Sequence, residues 1–253
     1  MENRKEKVKS KEERANVVFS KMTVVFIALV VLTVFLIRMG NNGRFALAFR
    51  TGAMPWVMGA GALLFVGALC YKIFCLRTGA DETMRVFSSS LILGVAASFA
   101  ATLLVLAKFD EMHAVIALFA AALLFFVYEI YLPDFFYFTL ETVIGAIAAA
   151  MVGSTAFGKG ALWNLLLIVG TVLAALFSVT MIRRAAARTH VQIADGRTVA
   201  ADKLNTAAVY IGAVLALCAL AVSLFFGGLV TYVLVFLCGI YLLAAIYFTV
   251  KLI

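Results

Sequence analysis

Long apolar runs, separated by short polar or basic segments, form the pattern along this chain. A helix rises about 1.5 Å per residue and the hydrocarbon core of a bilayer is about 30 Å thick, so about 20 apolar residues cross it. The pattern predicts an all-α polytopic integral membrane protein, a bundle of about eight transmembrane helices with short loops. The predicted spans are residues 22–38, 54–76, 86–107, 113–132, 135–157, 161–182, 206–226 and 229–250.

The apolar stretch 113–157 is too long to be one span. As a single helix it would extend about 68 Å, more than twice the thickness of the hydrocarbon core. Pro133 is the predicted turn, because proline lacks a backbone donor and disfavours helix at the residue before it. Tyrosines surround this proline, as aromatic side chains do at the membrane interface. Glu129 and Asp134 lie close enough to the turn that we expect both to reach polar surroundings.

Composition supports a membrane protein and argues against a soluble one. The chain is 65% hydrophobic and 13% charged, whereas soluble domains are about 45–50% apolar and about 25% charged. The net charge of +8 comes from basic residues that flank the apolar runs, which predicts contact with the bilayer and its anionic lipid headgroups. No interleaving of basic and aromatic residues suggests nucleic-acid binding. The predicted membrane-surface residues are Arg4, Lys5, Lys7, Lys9, Lys11, Arg183, Arg184 and Arg188.

The distribution of basic residues predicts the orientation. If the N-terminus is cytoplasmic and eight spans alternate, 16 of the 21 Lys and Arg residues lie on the cytoplasmic side, as the positive-inside rule requires. Both termini are then cytoplasmic. Residues 1–21 are predicted to be a basic cytoplasmic tail before an uncleaved signal anchor, and residues 22–253 a single transmembrane helical domain. The short loops and the charge asymmetry favour a plasma membrane, as in the cytoplasmic membrane of a bacterium.

Two cytoplasmic segments carry local structural signals. Ser10-Lys-Glu-Glu13 fits a capping box, which predicts a helix from near Ser10 into the first span, with a frayed tail as the alternative. In the basic loop 183–205, Asp195-Gly196 separates two short runs typical of strands. This pattern predicts a hairpin over residues 190–199, with an irregular loop as the alternative.

Glu141 is the acidic residue that the turn does not explain. It lies seven residues after Asp134, so a helix places it about 10 Å deeper in the membrane. An ionised carboxylate is costly there unless it faces protein or a water-filled cavity. Gly145, Ala149 and Gly153 continue from Glu141 at four-residue spacing. This small-residue stripe suits close helix packing and predicts that Glu141 faces inward.

Three interpretations of Glu141 stay open. It binds a proton or cation, or it is a paired or protonated side chain that holds two helices together, or it lies at a shallow, hydrated position. Arg183 and Arg184, at the cytoplasmic end of the sixth span, are the basic neighbours expected for it.

The third span carries a second polar stripe. Ser90, Gly94, Ser98 and Thr102 recur every four residues, which favours helix packing and leaves a polar path as the alternative. Asn164, near the outer end of the sixth span, is a further polar group that needs a partner. The candidate intramembrane polar site is therefore Glu141, Ser98, Thr102 and Asn164.

No metal or cofactor site is predicted. Asp110-Glu-Met-His113 is the one acidic cluster beside a histidine, and acidic residues before a helix are more simply an N-cap. The four cysteines lie in or beside apolar runs without close spacing, which indicates small buried side chains. The chain also lacks GxSxG, Walker-type, HExxH and strand-associated GxGxxG motifs. These absences favour a non-catalytic protein.

Three classes of function stay open. The first is small-solute transport, as a permease or as the membrane subunit of a transport complex, supported by the predicted bundle and Glu141. The second is a membrane scaffold that binds membrane or cytoplasmic protein partners through lateral helix contacts and the loop 183–205. The third is an intramembrane enzyme whose site is assembled from distant helices.

Overall fold

The computed structural model describes residues 2–78, 87–108, 111–153, 161–192 and 198–252, and helices make up most of them. Seven helices in this part of the chain are long and apolar enough to cross a membrane, and α4 has a shorter apolar segment, Ser89–Leu103. The prediction of an all-α, multi-pass membrane protein is confirmed at this level. The helices are α1 (Glu2–Gly40), α2 (Gly43–Ala48), α3 (Met54–Thr78), α4 (Ser89–Lys108), α5 (Glu111–Ile130), α6 (Pro133–Gly153), α7 (Ala161–Ala186), α8 (Thr206–Phe225) and α9 (Val230–Leu252).

The chain divides into two compact units, an N-terminal unit, Met1–Phe126, and a C-terminal unit, Val127–Ile253, with the boundary inside α5. Each unit has its own apolar core. That of the N-terminal unit comes from α1, α3, α4 and α5, and that of the C-terminal unit centres on Phe135 and Phe138. The description of residues 22–253 as one domain stays a prediction.

Large apolar side chains also cover much of the outer surface of the helices. Leu63 is 76% exposed, Leu173 is 60% exposed and Leu243 is 70% exposed. A soluble protein rarely exposes so extensive an apolar surface, whereas lipid tails solvate it without cost. The exposed surface therefore agrees with the membrane assignment.

Polar contacts fix the direction of the helices in the N-terminal unit. Arg50, just before α3, forms an ion pair of 2.8 Å with Glu111 at the start of α5. A Cβ atom on Gly40, at the end of α1, would lie 3.5 Å from the Cβ of Glu111. Near the other end of α3, Lys72 Nζ donates to Ser90 Oγ at 2.7 Å. Helix α4 therefore leads from the far end of α3 back towards the end marked by Arg50.

Two features of the N-terminal unit differ from the sequence-based expectation. Helix α1 begins at Glu2 rather than near Ser10, although it does run without a break into the first span. The segment 43–53, which lies outside the predicted spans, is helical and continues into α3 through a π-helical turn at Phe49–Ala53. In that turn Met54 N–H donates to Phe49 O. The wider turn lies directly before Pro55, which has no N–H to continue regular α-helical bonding.

The turn between α5 and α6 is at the predicted proline. Helix α5 ends at Ile130 and α6 begins at Pro133, which thus occupies the first position of the helix, where proline is favoured. Tyr131 N–H closes the last turn of α5 by donating to Val127 O at 3.0 Å. The local chemistry of the proline therefore determined this boundary.

A small hairpin follows α7, as the loop pattern predicted. Strands β1 (His190–Gln192) and β2 (Thr198–Ala200) pair antiparallel, with Val191 opposite Val199. The Asp195-Gly196 turn lies outside the described residues.

Candidate functional site

Glu141 lies in α6, inside the helix bundle of the C-terminal unit. Its side chain is 1% exposed, and its Oε2 atom faces Gly212 of α8. A Cβ atom on Gly212 would lie 2.5 Å from Oε2 and 3.0 Å from Phe138 Cδ2. The absence of a side chain at position 212 therefore provides the space that the carboxyl occupies.

Neither oxygen of the Glu141 carboxyl has a hydrogen-bond partner among the described residues. Among the described residues, the other buried side-chain atoms without a hydrogen-bond partner are the hydroxyls of Thr33 and Ser223. Glu141 is therefore the one carboxyl group in this set. Ser178 of α7 lies close enough to Glu141 to be a hydrogen-bonding neighbour of the carboxyl. Its single hydroxyl hydrogen is donated to Ala174 O at 3.0 Å, so Ser178 does not donate to Glu141. Buried polar groups usually have partners, so this carboxyl needs an explanation.

Small residues bring α6 and α8 together beside Glu141. A Cβ atom on Gly145 would lie 2.7 Å from the Cα and 2.8 Å from the Cβ of Ala216. Ala149, one turn further along, is fully buried. Close approach of this kind depends on glycine and alanine at four-residue spacing. The surroundings of Gly153 lie outside the described residues.

The matching pair on α8 could have been found in the sequence. Gly212 and Ala216 are four residues apart, which is the same signal that identified the stripe on α6. What the spacing does not show is which helix the pair faces.

The expectation that Arg183 or Arg184 would neighbour Glu141 was wrong. Both arginines are exposed in the last turn of α7. Ser178, the α7 residue near Glu141, lies six residues before Arg184, which corresponds to about 9 Å along the helix. The carboxyl therefore has no basic hydrogen-bond partner among the described residues.

The other members of the candidate polar site are in different places. Asn164 lies fourteen residues before Ser178 on α7, a distance of about 21 Å along the helix, so it does not adjoin Glu141. Ser98 and Thr102 belong to the N-terminal unit. Ser98 Oγ donates to Gly94 O at 2.7 Å and Thr102 Oγ1 donates to Ser98 O at 2.8 Å.

The stripe on α4 thus has its hydroxyls bonded to its own backbone. Ser90 is the exception, because it accepts a hydrogen bond from Lys72. A Cβ atom on Gly94 would meet nothing within 4 Å, so no close helix approach depends on this glycine among the described residues.

Asp134 and Glu129 are more buried than the sequence pattern indicated. Asp134 is fully buried and Glu129 is 2% exposed, so the polar surroundings expected for Asp134 are provided by protein groups. Asp134 Oδ2 accepts hydrogen bonds from Asn205 N–H at 2.8 Å and from Lys251 Nζ at 3.0 Å. Its Oδ1 accepts from the backbone N–H of Phe135 at 3.0 Å.

This carboxylate connects three helix ends of the C-terminal unit. Asp134 is in the first turn of α6, Asn205 caps α8 with its side chain accepting from Ala208 N–H, and Lys251 is in the last turn of α9. The start of α6, the start of α8 and the end of α9 therefore lie at one end of the unit. These donors stabilise the charge of the Asp134 carboxylate. Glu141 has no such donor among the described residues.

Sequence reasoning also missed the Arg50–Glu111 ion pair. Asp110 of the proposed N-cap lies outside the described residues.

Comparison with known proteins adds no functional assignment, since no protein-family model, curated protein or solved structure matches this chain.

Proposed function

We propose that this protein is a small-solute permease, or the membrane subunit of a transport complex, in which Glu141 binds and releases a proton. The observation that carries the proposal is a carboxyl group that is 1% exposed and whose two oxygens accept no hydrogen bond from the described residues. A glutamate that merely joined two helices would be expected to have a hydrogen-bond partner in one of them. Intramembrane acidic residues commonly mark proton or ion pathways.

The position of Glu141 gives protonation a structural consequence. A carboxylate without a partner is much more costly to bury than a neutral carboxyl group. Loss of the proton therefore requires water, a cation or a new donor beside the α6–α8 contact. Because Gly212 leaves little space there, admitting any of them requires α6 and α8 to move apart. Proton binding and helix separation are thus coupled, as proton-driven transport requires.

The proposed topology has eight spans with both termini in the cytoplasm. The charge distribution supports it, and so do the helix directions within each unit. Helix α4 leads from the Lys72 end of α3 to the Arg50 end, so we count it as a span despite its shorter apolar segment. The unequal distribution of Lys and Arg between the two sides also supports a plasma membrane, as in the cytoplasmic membrane of a bacterium.

Proton binding can be tested without knowing the solute. Infrared difference spectra of the purified protein at two pH values should contain the C=O band of a protonated carboxyl, and Glu141→Gln should remove it. Glu111→Gln is the matched control, since Glu111 is already paired with Arg50. A spectrum unchanged by Glu141→Gln would contradict the role of this residue.

Transport itself requires a second measurement. In vesicles that contain the protein and a trapped pH dye, uptake of candidate small solutes driven by a pH gradient should depend on Glu141 and not on Glu111. An infrared band that depends on Glu141, together with Glu141→Gln vesicles that transport as fast as the wild type, would assign the carboxyl a structural role only.

A scaffold is the second candidate function. The observation that favours it is the formed hairpin, β1 paired with β2, in the basic loop that follows α7. Replacing residues 189–200 by a flexible linker of equal length should release co-purifying proteins while the helix content is unchanged. Retention of every partner by this variant would count against the scaffold.

A further inference from the structure

A cavity of about 420 Å³ opens at the end of the C-terminal unit where α5 meets α6 and α7 ends. Its size is within the range of small-molecule pockets, about 300–1,000 Å³. Aromatic side chains and two arginines dominate its lining, and none of the described lining residues is acidic. The lining includes Tyr128, Tyr131, Tyr137, Arg184, Arg188 and Val191.

Among the described residues, no acidic side chain neutralises the arginines of the cavity. Arg184 and Arg188 form no ion pair with any residue that the structure describes. They are four residues apart, at the end of α7 and in the turn after it. Asp134, the buried acid near this end, already binds Lys251. The cavity thus carries two positive charges that an anion can satisfy.

The rest of the lining indicates what kind of anion fits. Arginine binds phosphate with paired, nearly parallel hydrogen bonds. Tyrosine rings with terminal hydroxyls suit the boundary between lipid tails and headgroups, and Pro133 and Phe136 add apolar surface. A ligand with a phosphate beside an apolar body matches this lining better than a free inorganic ion does.

We propose that this cavity binds the phosphate of an anionic glycerophospholipid from the leaflet at this end of the bundle. The site does not depend on the role of Glu141. It is more specific than general attraction of basic residues to the membrane, since Arg183 is exposed beside Arg184 and does not line the cavity. Arg183 therefore provides a control of equal charge at the adjacent position.

The test uses the full-length protein in a neutral detergent, with phosphatidylglycerol compared with zwitterionic phosphatidylcholine. Native mass spectrometry should show phosphatidylglycerol retained preferentially, and the same lipid should raise the unfolding temperature. The double variant Arg184→Gln, Arg188→Gln should weaken phosphatidylglycerol binding by about tenfold or more, because charge-assisted hydrogen bonds to phosphate are lost. Arg183→Gln should bind as the wild type does. Equal retention of the two lipids, or equal loss in Arg183→Gln, would overturn the proposal.

Two further measurements keep the result interpretable. Tyr137→Phe removes one lining hydroxyl without changing charge, and it should weaken binding while preserving the fold, so unchanged binding counts against direct contact in the cavity. Competition with soluble glycerol phosphate distinguishes the source of the phosphate. Weak competition supports a lipid, whereas affinity equal to that of phosphatidylglycerol overturns the lipid assignment in favour of a soluble phosphate ester.

Discussion

Gly212 faces the carboxyl of Glu141 so closely that a Cβ atom on it would lie 2.5 Å from Oε2. Helix α8 thus contributes to the site by the absence of a side chain. Phe138 borders the same space, because its Cδ2 atom would lie 3.0 Å from that Cβ. The position of the carboxyl is therefore determined by α6 and α8 together.

Gly212→Ala should displace the Glu141 carboxyl with a modest loss of stability. The clashing atom is the end of a flexible side chain, which moves more easily than backbone. We therefore expect a loss of about 1 kcal/mol in the free energy of unfolding, the lower end of the usual cost of overpacking, together with a shift of the carboxyl band in the infrared spectrum. An unchanged band would show that Gly212 does not determine the surroundings of the carboxyl.

Gly145→Ala should be much more destabilising, because the new methyl group would meet backbone. Its Cβ would lie 2.7 Å from Ala216 Cα, and only separation of α6 from α8 relieves that contact. We expect a loss of about 1–3 kcal/mol in the free energy of unfolding, measured by denaturation in detergent.

The matched control for Gly145 is Gly170 of α7, where a Cβ atom would meet nothing within 4 Å. Gly170→Ala should leave stability unchanged or raise it by up to about 1 kcal/mol, as alanine favours helix over glycine. Equal effects of the two substitutions would mean that the α6–α8 contact does not require glycine at position 145.

The features that could be predicted from the sequence are local. The length of apolar runs predicted the long helices, Pro133 predicted the turn between α5 and α6, and an Asp-Gly pair between two short runs predicted the hairpin. Each depends on neighbouring residues, so a window of the sequence contains the necessary information. The helical segment 43–53 was missed because it is too short and polar to count as part of a span.

Contacts between helices were harder to predict, because they depend on the rotation of each helix about its axis. Asp134 and Lys251 are 117 positions apart, and no local pattern indicates that they meet. The inward direction of Glu141 was predicted from its stripe, yet its expected arginine partners were wrong, since depth along a helix does not specify a neighbour.

The Asp134–Lys251 ion pair should show strong coupling in a double-mutant cycle. Asp134 is fully buried, whereas 24% of the Lys251 side chain is exposed. Lys251→Met leaves the buried Asp134 carboxylate with the backbone N–H groups of Phe135 and Asn205 as its described donors. We expect this substitution to lower the free energy of unfolding by about 1–3 kcal/mol. Asp134→Asn combined with Lys251→Met should cost less than the sum of the single substitutions, with a coupling of about 0.5–3 kcal/mol.

Lys203 provides the control for that cycle, because it is exposed in the 3-10 turn before α8. Lys203→Met should change stability by less than about 0.5 kcal/mol. Additive effects of the Asp134 and Lys251 substitutions would show that the ion pair does not connect α6 and α9 energetically.

The proposed topology predicts which positions share a side of the membrane. Arg50 and Glu111 form an ion pair, so Arg50→Cys and Glu111→Cys should both react with a membrane-impermeant thiol reagent in intact cells. Lys203→Cys should react only after the membrane is permeabilised. The four native cysteines are free and need replacement by serine first.

If α4 did not cross the membrane, positions 50 and 111 would be labelled from opposite sides, and the count of eight spans would be wrong. If position 203 were labelled in intact cells together with position 50, the C-terminal unit would have the opposite orientation to the proposed one.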